Sequence, residues 1–207
     1  MSRVLALDTS SRGRALCVLA GDGGALLAAE TLEGRHLDRS LPAALAALLG
    51  RAAPDAVAVV MGPGSYTGLR VGIATGLGLA HARDLPLHGL DALAVVARAA
   101  PPDAVEIEAV ADAGRGALYV ARYVRAGVEL QRTGAARRVE AAAWSGAPGH
   151  VAVSLDAVAG ALHVEERAAA ALAEAAAAAL AEPPLPRAGL EPVYLGGDAS
   201  AAPGPRV

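Results

Sequence analysis

"VAVVMGPGSYTGLRVGIATGLGLAHARDLP", residues 57–86, decides the fold. The apolar run 57–61 has the length of a buried strand, the cluster Gly62-Pro63-Gly64 breaks it, and residues 67–83 carry helical spacing. That helix contains Gly68, Gly72, Gly76 and Gly78, each costing roughly 1 kcal/mol against alanine. On a wheel at about 100° per residue, Gly68, Gly72, Gly76 and Ala80 form one strip. Leu69, Ile73 and Leu77 lie beside it, and Val71, Thr75 and Leu79 flank the other side. Arg70, Ala74 and His81 share the only narrow polar wedge. A helix resting on one sheet needs an apolar stripe of roughly 100°; this one is apolar nearly all round and must be covered on more than one side. Small residues at every fourth position admit a close backbone. The cover is either another element of the same chain or a second polypeptide, and the second is the expectation taken forward.

The same segment invites a chemical reading. A strand, the turn "GPGSYTG" and a helix can offer backbone N–H groups to an anion. The spacing matches neither G-x-x-x-x-G-K-[ST] nor G-x-G-x-x-G, and all eighteen basic residues are arginine. With no lysine, a lysine nucleophile, a Schiff base and a Walker-type phosphate lysine are all excluded. Gly64 and Ser65 remain candidates for an anion site, supported by Arg70, with a plain tight strand-to-helix turn the favoured reading.

Outward from this stretch, two segments are punctuated alike. "VLALDTSSRGRALCVLAGDGGALLAAE" reads as a strand ending at Asp8, a polar turn to Gly13, a strand over 15–20, a turn at 21–24 and a further strand. "VEIEAVADAGRGALYVARYVRAGVELQRT" repeats that order, with a strand ending at Asp112, a turn to Gly116, a strand over 117–123, a turn at 126–127 and a strand over 128–132. The expected architecture is a duplicated α/β unit, a lobe at 1–100 and a smaller lobe with a tail at 101–207, divided near Ala100-Pro101-Pro102. Leu37, Leu41, Leu45, Leu48 and Leu49 place a helix over 37–49. Helices are also expected over 90–99 and 165–181, and a last strand over 192–195; residues 133–148 read as irregular. Asp8 and Asp112, each at a strand end, are candidates for Mg²⁺-phosphate contact, with Ser10 nearby; turn capping is the competing role.

Composition narrows the function classes. The net charge of −3 argues against strong unaided binding of nucleic acid, which depends on neutralising phosphates. The single Cys17 cannot form an internal disulfide and suits a reducing, cytoplasmic setting. No secretory signal or membrane span is read, since the apolar start meets Asp8 at once and the alanine tract 168–180 contains Glu174. No two of His36, His81, His88, His150 and His163 stand at i, i+4 for a metal, no G-x-S-x-G elbow occurs, and the turn at 196–199 lacks the following helix an adenosine site would need. No catalytic or metal-binding residue is assigned.

The blocks "VLALDTSS", the start of the 37–49 helix after His36, "GPGSYTGLRVGIATGLGLA", "LPLHGLDAL", "ADAGRGALYVARY" and "EPVYL" resemble the bacterial TsaB (YeaZ) family in order and spacing over residues 3 to about 195. The resemblance implies an actin/Hsp70-like (ASKHA) fold of two duplicated RNase H-like lobes, the second reduced. It implies a non-catalytic subunit in forming threonylcarbamoyladenosine beside the tRNA anticodon. The partners implied are the metal-bearing paralogue TsaD, in a heterodimer, and the ATPase TsaE docking on that pair. Contact with tRNA would come only through the complex, and ATP and Mg²⁺ only through partners, with no cofactor in the isolated chain. The family's contacts use the first two helices, which assigns partner binding to His36, Leu37, Leu41, Leu45, Gly68, Leu69, Gly72, Ile73, Gly76 and Ala80; an isolated chain would homodimerise through them. In the catalytic relative an H-x-x-x-H pair follows a segment like "LPLHGL", and Ala92 and Val96 stand there here. Two departures are plain: Gly196 replaces the usual arginine after "PVYL", and Ser154, Leu155 and Asp156 replace a glycine-rich turn. The alternatives are a small ATP-dependent phosphotransferase or ATPase of the same superfamily using Asp8 and Asp112, and a metallopeptidase, which would need the missing histidine pair.

Overall fold

A computed structural model describes residues 2–33, 37–188 and 190–195. Strand-forming and turn residues alternate so regularly that two sheets arise, each from a contiguous half of the chain. The first contains β1 (Val4–Asp8), β2 (Arg14–Ala20), β3 (Leu26–Glu33), β4 (Ala56–Gly62) and β5 (Leu87–Asp91), in the order β3-β2-β1-β4-β5. β1 pairs antiparallel with β2, Leu7 opposite Cys17, and parallel with β4, Leu7 opposite Val59. The parallel connections carry α1 (Leu37–Arg51), between β3 and β4, and α2 (Tyr66–Arg83), between β4 and β5.

The second sheet repeats the plan. It uses β6 (Glu106–Gly114), β7 (Ala117–Ala126), β8 (Glu129–Arg132), β10 (Val151–Ser154) and β11 (Leu162–His163), in the order β11-β10-β6-β7-β8. β6 is antiparallel to β7 and parallel to β10, as β1 is to β2 and β4. β9 (Arg137–Glu140) continues the β8 edge by pairing with residues 117–120 of β7. The duplicated ASKHA-type α/β fold is therefore present, and the second lobe is the smaller: where the first lobe carries α1 and α2, the second has short connections and an outer apolar cluster of Val110, Leu118 and Val120 under Val139, Trp144 and Val158.

Three expectations change. Residues 133–148 are not irregular throughout, because Val139 of β9 joins that outer cluster and the ladder follows it. Residues 192–195 form no strand; Val193 N–H donates to the Met61 carbonyl at 2.7 Å and the ladder goes no further. The helix expected over 165–181 is a 3₁₀ turn, Glu165–Arg167, followed by α4 (Ala168–Ala179). The turn at 196–199 lies outside the described residues.

The strands divide at Ala100–Pro102, but the helices do not. α3 (Ala92–Arg98) packs on β6, β7, β8 and β10, and α4, from the second half, packs on β1, β2 and β5. The two helices also touch each other, so a helical layer lies between the sheets and one apolar core runs through both lobes. Alanine makes that layer thin. Gly24, at φ +82, brings the β2–β3 turn so close to α4 that a Cβ there would stand 2.7 Å from the Glu174 Cα. Among the described residues no helix is long and apolar enough to cross a membrane.

Candidate functional site

α2 begins where Ser65 accepts a hydrogen bond from Gly68 N at 3.3 Å, an N-cap of the usual kind. It ends at Asp84, a left-handed residue at φ 52. Its glycine strip faces inward. A Cβ on Gly68 would stand 2.0 Å from the Thr9 carbonyl oxygen, on Gly72 2.1 Å from Thr9 Oγ1, and on Gly76 2.2 Å from Val59 Cγ1. Thr9 itself is buried and donates from Oγ1 to the Gly68 carbonyl at 2.8 Å.

The expected docking seam of Gly68, Leu69, Gly72, Ile73, Gly76 and Ala80 is thus sealed under the chain's own sheet, and that assignment is corrected. The glycines admit the β1–β2 turn and β4, not a second polypeptide. Leu41 and Leu45 of α1 are buried on the same sheet, Leu37 is half-buried, and His36 lies outside the described residues.

What these helices present outward is a different set. On α1, Arg39, Pro42, Ala43, Ala46, Ala47, Gly50 and Arg51 are exposed; on α2, Tyr66, Thr67, Arg70, Ala74, Gly78, His81, Ala82 and Arg83 are exposed. α1 and α2 touch, so the two faces adjoin. Between the arginines at the helix ends, Ala43, Ala46, Ala47 and Gly50 of α1 and Ala74 and Gly78 of α2 carry short side chains or none. A Cβ on Gly50 or Gly78 would meet nothing within 4 Å. Sequence reasoning missed these residues because it followed the leucines and glycines; the complement of the leucine stripe was the available signal. At the N-terminal end of α2, the Arg70 guanidinium lies 4.1 Å from the Tyr66 ring centre, and Tyr66 stacks on Tyr194 with centroids 5.4 Å apart.

The anion candidates Asp8, Ser10, Gly64 and Ser65 fall together, with Ser10 N, Ser10 Oγ and Ser65 N already engaged. Asp8 Oδ1 accepts from Ser10 N at 2.9 Å and from Ser10 Oγ at 2.6 Å. Ser65 N donates to the Ser10 carbonyl at 2.7 Å, and a Cβ on Gly64 would meet Ser10 at 2.6 Å. Asp112 joins from the other lobe through Asp156, which the sequence marked only as a departure from the family pattern. That carboxylate accepts from Ser11 Oγ at 3.2 Å and from Asp112 N at 3.3 Å. The Arg12 guanidinium lies where a Cβ on Gly114 would be. This arrangement ties the two strand-end turns together across the lobe junction.

Elsewhere the histidines are dispersed. His88 is buried with Nδ1 unpartnered, and burial holds its ring below the usual basicity. His150 and His163 sit 3.5 and 3.6 Å from Glu106 and Glu165. Ala92 and Val96 are both buried on α3. Among the described residues no three His, Cys, Asp or Glu side chains gather as a metal site would require.

The family model described as TsaD, tRNA N6-adenosine threonylcarbamoyltransferase, matches residues 34–201. The chain belongs to that family. Within it the likeness is to TsaB/YeaZ proteins. The tRNA threonylcarbamoyladenosine biosynthesis protein TsaB of Escherichia coli is 35% identical over 129 residues, 59% of this chain and 55% of that one. The Bacillus subtilis protein of the same name is 31% identical over 124 residues, 58% and 54% of the two chains. An uncharacterized protein of Mycobacterium leprae is 38% identical over 138 residues, 63% of this chain and 37% of its own. The aligned region therefore spans little more than half the length of these TsaB proteins, and less of the mycobacterial one. The solved structure of YeaZ from Pseudomonas aeruginosa superposes with a TM-score of 0.73 at 26% identity, covering 94% of this chain and 100% of that one. The TsaB/YeaZ likeness thus covers both lobes.

Proposed function

We propose that this chain is a non-catalytic, TsaB-type subunit in the biosynthesis of threonylcarbamoyladenosine in tRNA, acting by pairing with TsaD through the outer face of α1 and α2. The observation that carries the reading is the adjoining exposed face of Ala43, Ala46, Ala47 and Gly50 with Ala74 and Gly78. Short side chains let partner helices approach closely, and association there removes apolar area from water at about 25 cal/mol per Å². The names of the relatives support the pathway. The aliphatic Ala92 and Val96, buried in the core, support leaving metal chemistry to the partner. TsaE docks on the resulting pair, tRNA is met only by the complex in the cytoplasm, and ATP and Mg²⁺ enter through partners. Alone, the chain pairs with itself through the same face.

The experiment is association with purified TsaD, measured by light scattering after size exclusion, for wild type and for Ala46→Arg and Gly78→Arg. Ala46 is exposed and a Cβ on Gly78 meets nothing within 4 Å, so the melting temperature stays within a few degrees while heterodimer formation is lost. Wild-type association by both arginine variants, or no complex at micromolar concentrations, refutes the proposal.

A further inference from the structure

At the end of the first sheet remote from the Asp8 turn, a cavity of about 790 Å³ opens between the lobes. Ser2 and the turn from Gly21 to Gly23 form one wall, the end of α3 and the β7–β8 hairpin another, and α4 the floor. Three guanidiniums, Arg98, Arg125 and Arg167, line it, with Asp22 and Glu174 the acids among the lining residues. None of the three arginines has a carboxylate within 4 Å among the described residues. Asp22 is engaged by the Ser2 amide.

The arginines differ in what already holds them. Arg125 is tied to the end of α3, donating to the Pro101 carbonyl at 2.6 Å and the Ala97 carbonyl at 3.1 Å. Arg98 donates to the Val128 carbonyl at 3.3 Å. The Arg167 side chain makes no hydrogen bond or ion pair with another described residue; its backbone N–H donates to the Val164 carbonyl at 3.1 Å. All three are half-buried. Partial burial disfavours the cations of Arg98 and Arg125; Glu174 offsets part of that for both and Asp103 for Arg125, while Arg125 opposes Arg98 and Arg167 opposes Arg125.

Half-buried guanidiniums converging on one cavity, two of them tied to backbone carbonyls, are a receptor for an anion, and planar donor pairs suit phosphate oxygens. We propose that this cavity binds a small phosphorylated anion, held by Arg98 and Arg167, with Arg125 as a fixed background charge. The site is separate from the α1–α2 face and from the strand-end turns, and it does not rest on the proposed function. Glu174 opposes the ligand and sets an upper limit to its charge density.

The test uses the intact chain with inorganic pyrophosphate as probe, in calorimetric titration at constant ionic strength. Saturable binding of one pyrophosphate per chain is expected. Arg167→Ala weakens it by about tenfold, as loss of one charge-assisted contact requires. Glu174→Gln tightens it by a similar factor, and circular dichroism checks that both variants fold. Absence of saturable binding at millimolar pyrophosphate overturns the assignment, as does equal affinity in wild type, Arg167→Ala and Glu174→Gln. Because Glu174→Gln is expected to gain affinity, a folding defect in Arg167→Ala leaves that second arm decisive.

Discussion

Alanine substitution along α2 separates a strip packed on the sheet from one left bare for a partner. Gly78 is exposed with open space around it, so Gly78→Ala gains helix propensity alone, about 1 kcal/mol. For a chain of this size that raises the melting temperature by about 2–4 °C. Gly76→Ala gains the same propensity but sets a methyl 2.2 Å from Val59 Cγ1, more than an ångström inside ordinary contact. Overpacking of a dense core costs about 1–3 kcal/mol, and Val59 is β-branched with little freedom to turn away. The net is a loss of up to about 2 kcal/mol. Gly68→Ala is worse, since it collides with a backbone carbonyl, that of Thr9, which no rotamer change can move. Displacing α2 there also strains the Thr9–Gly68 hydrogen bond, adding about 1 kcal/mol. Urea unfolding of the purified variants measures each value. Val59→Ala removes the colliding atom, so the Gly76→Ala, Val59→Ala double variant should lose at least about 1 kcal/mol less than the sum of the singles. If Gly68→Ala and Gly76→Ala stabilise as Gly78→Ala does, and the cycle is additive, the inward packing of the strip is wrong.

Three further outcomes are expected. Burial, then the Asp8 and Glu30 carboxylates, push the Cys17 thiol up to about 12; at about pH 8 its thiolate fraction is on the order of one in ten thousand. A disulfide reagent should therefore label it at the rate of unfolding, and rapid labelling of the folded chain would contradict its place in the core. Glu108, 1% exposed, accepts from Trp144 Nε1 at 3.0 Å, Ala147 N at 3.0 Å and Arg122 Nε at 3.2 Å. Glu108→Ala strands those donors, costing about 3 kcal/mol, and should shift the fluorescence of the sole tryptophan to the red; unchanged emission would exclude the contact. His88 stays neutral when folded because burial lowers its affinity for a proton below the usual 6.5. The unfolded chain takes that proton first, so the contribution is full above pH 6.5 and falls as pH drops from there toward the folded value. His88→Leu should flatten stability measured between neutrality and mild acid, with Asp91, whose affinity for a proton is raised by burial, acting in the opposite sense in the carboxylate range. An unchanged slope would reject the role of His88.

What was legible in the sequence was what depends on near neighbours. The turns after Asp8 and Asp112 and the alternation around them are local, and they located the duplicated strand order correctly. The direction of the α2 strip was not legible, because a helical wheel states which residues share a face and not what lies against it. Glycine at every fourth position is required equally by a partner's backbone and by the chain's own. Thr9, 59 residues from Gly68, decides between them, and nothing in the local pattern of α2 points to it. The outward face is hard to read for the opposite reason: alanine suits core and surface alike, and this chain uses it in α1 and α4 for both. The crossing of α3 and α4 between the sheets brings Arg98, Arg125 and Arg167 together from α3, β7 and the turn before α4. Each is unremarkable in its own segment. Charge that is harmless when spread along a chain becomes a site once topology concentrates it, and the helical layer between the lobes does so here.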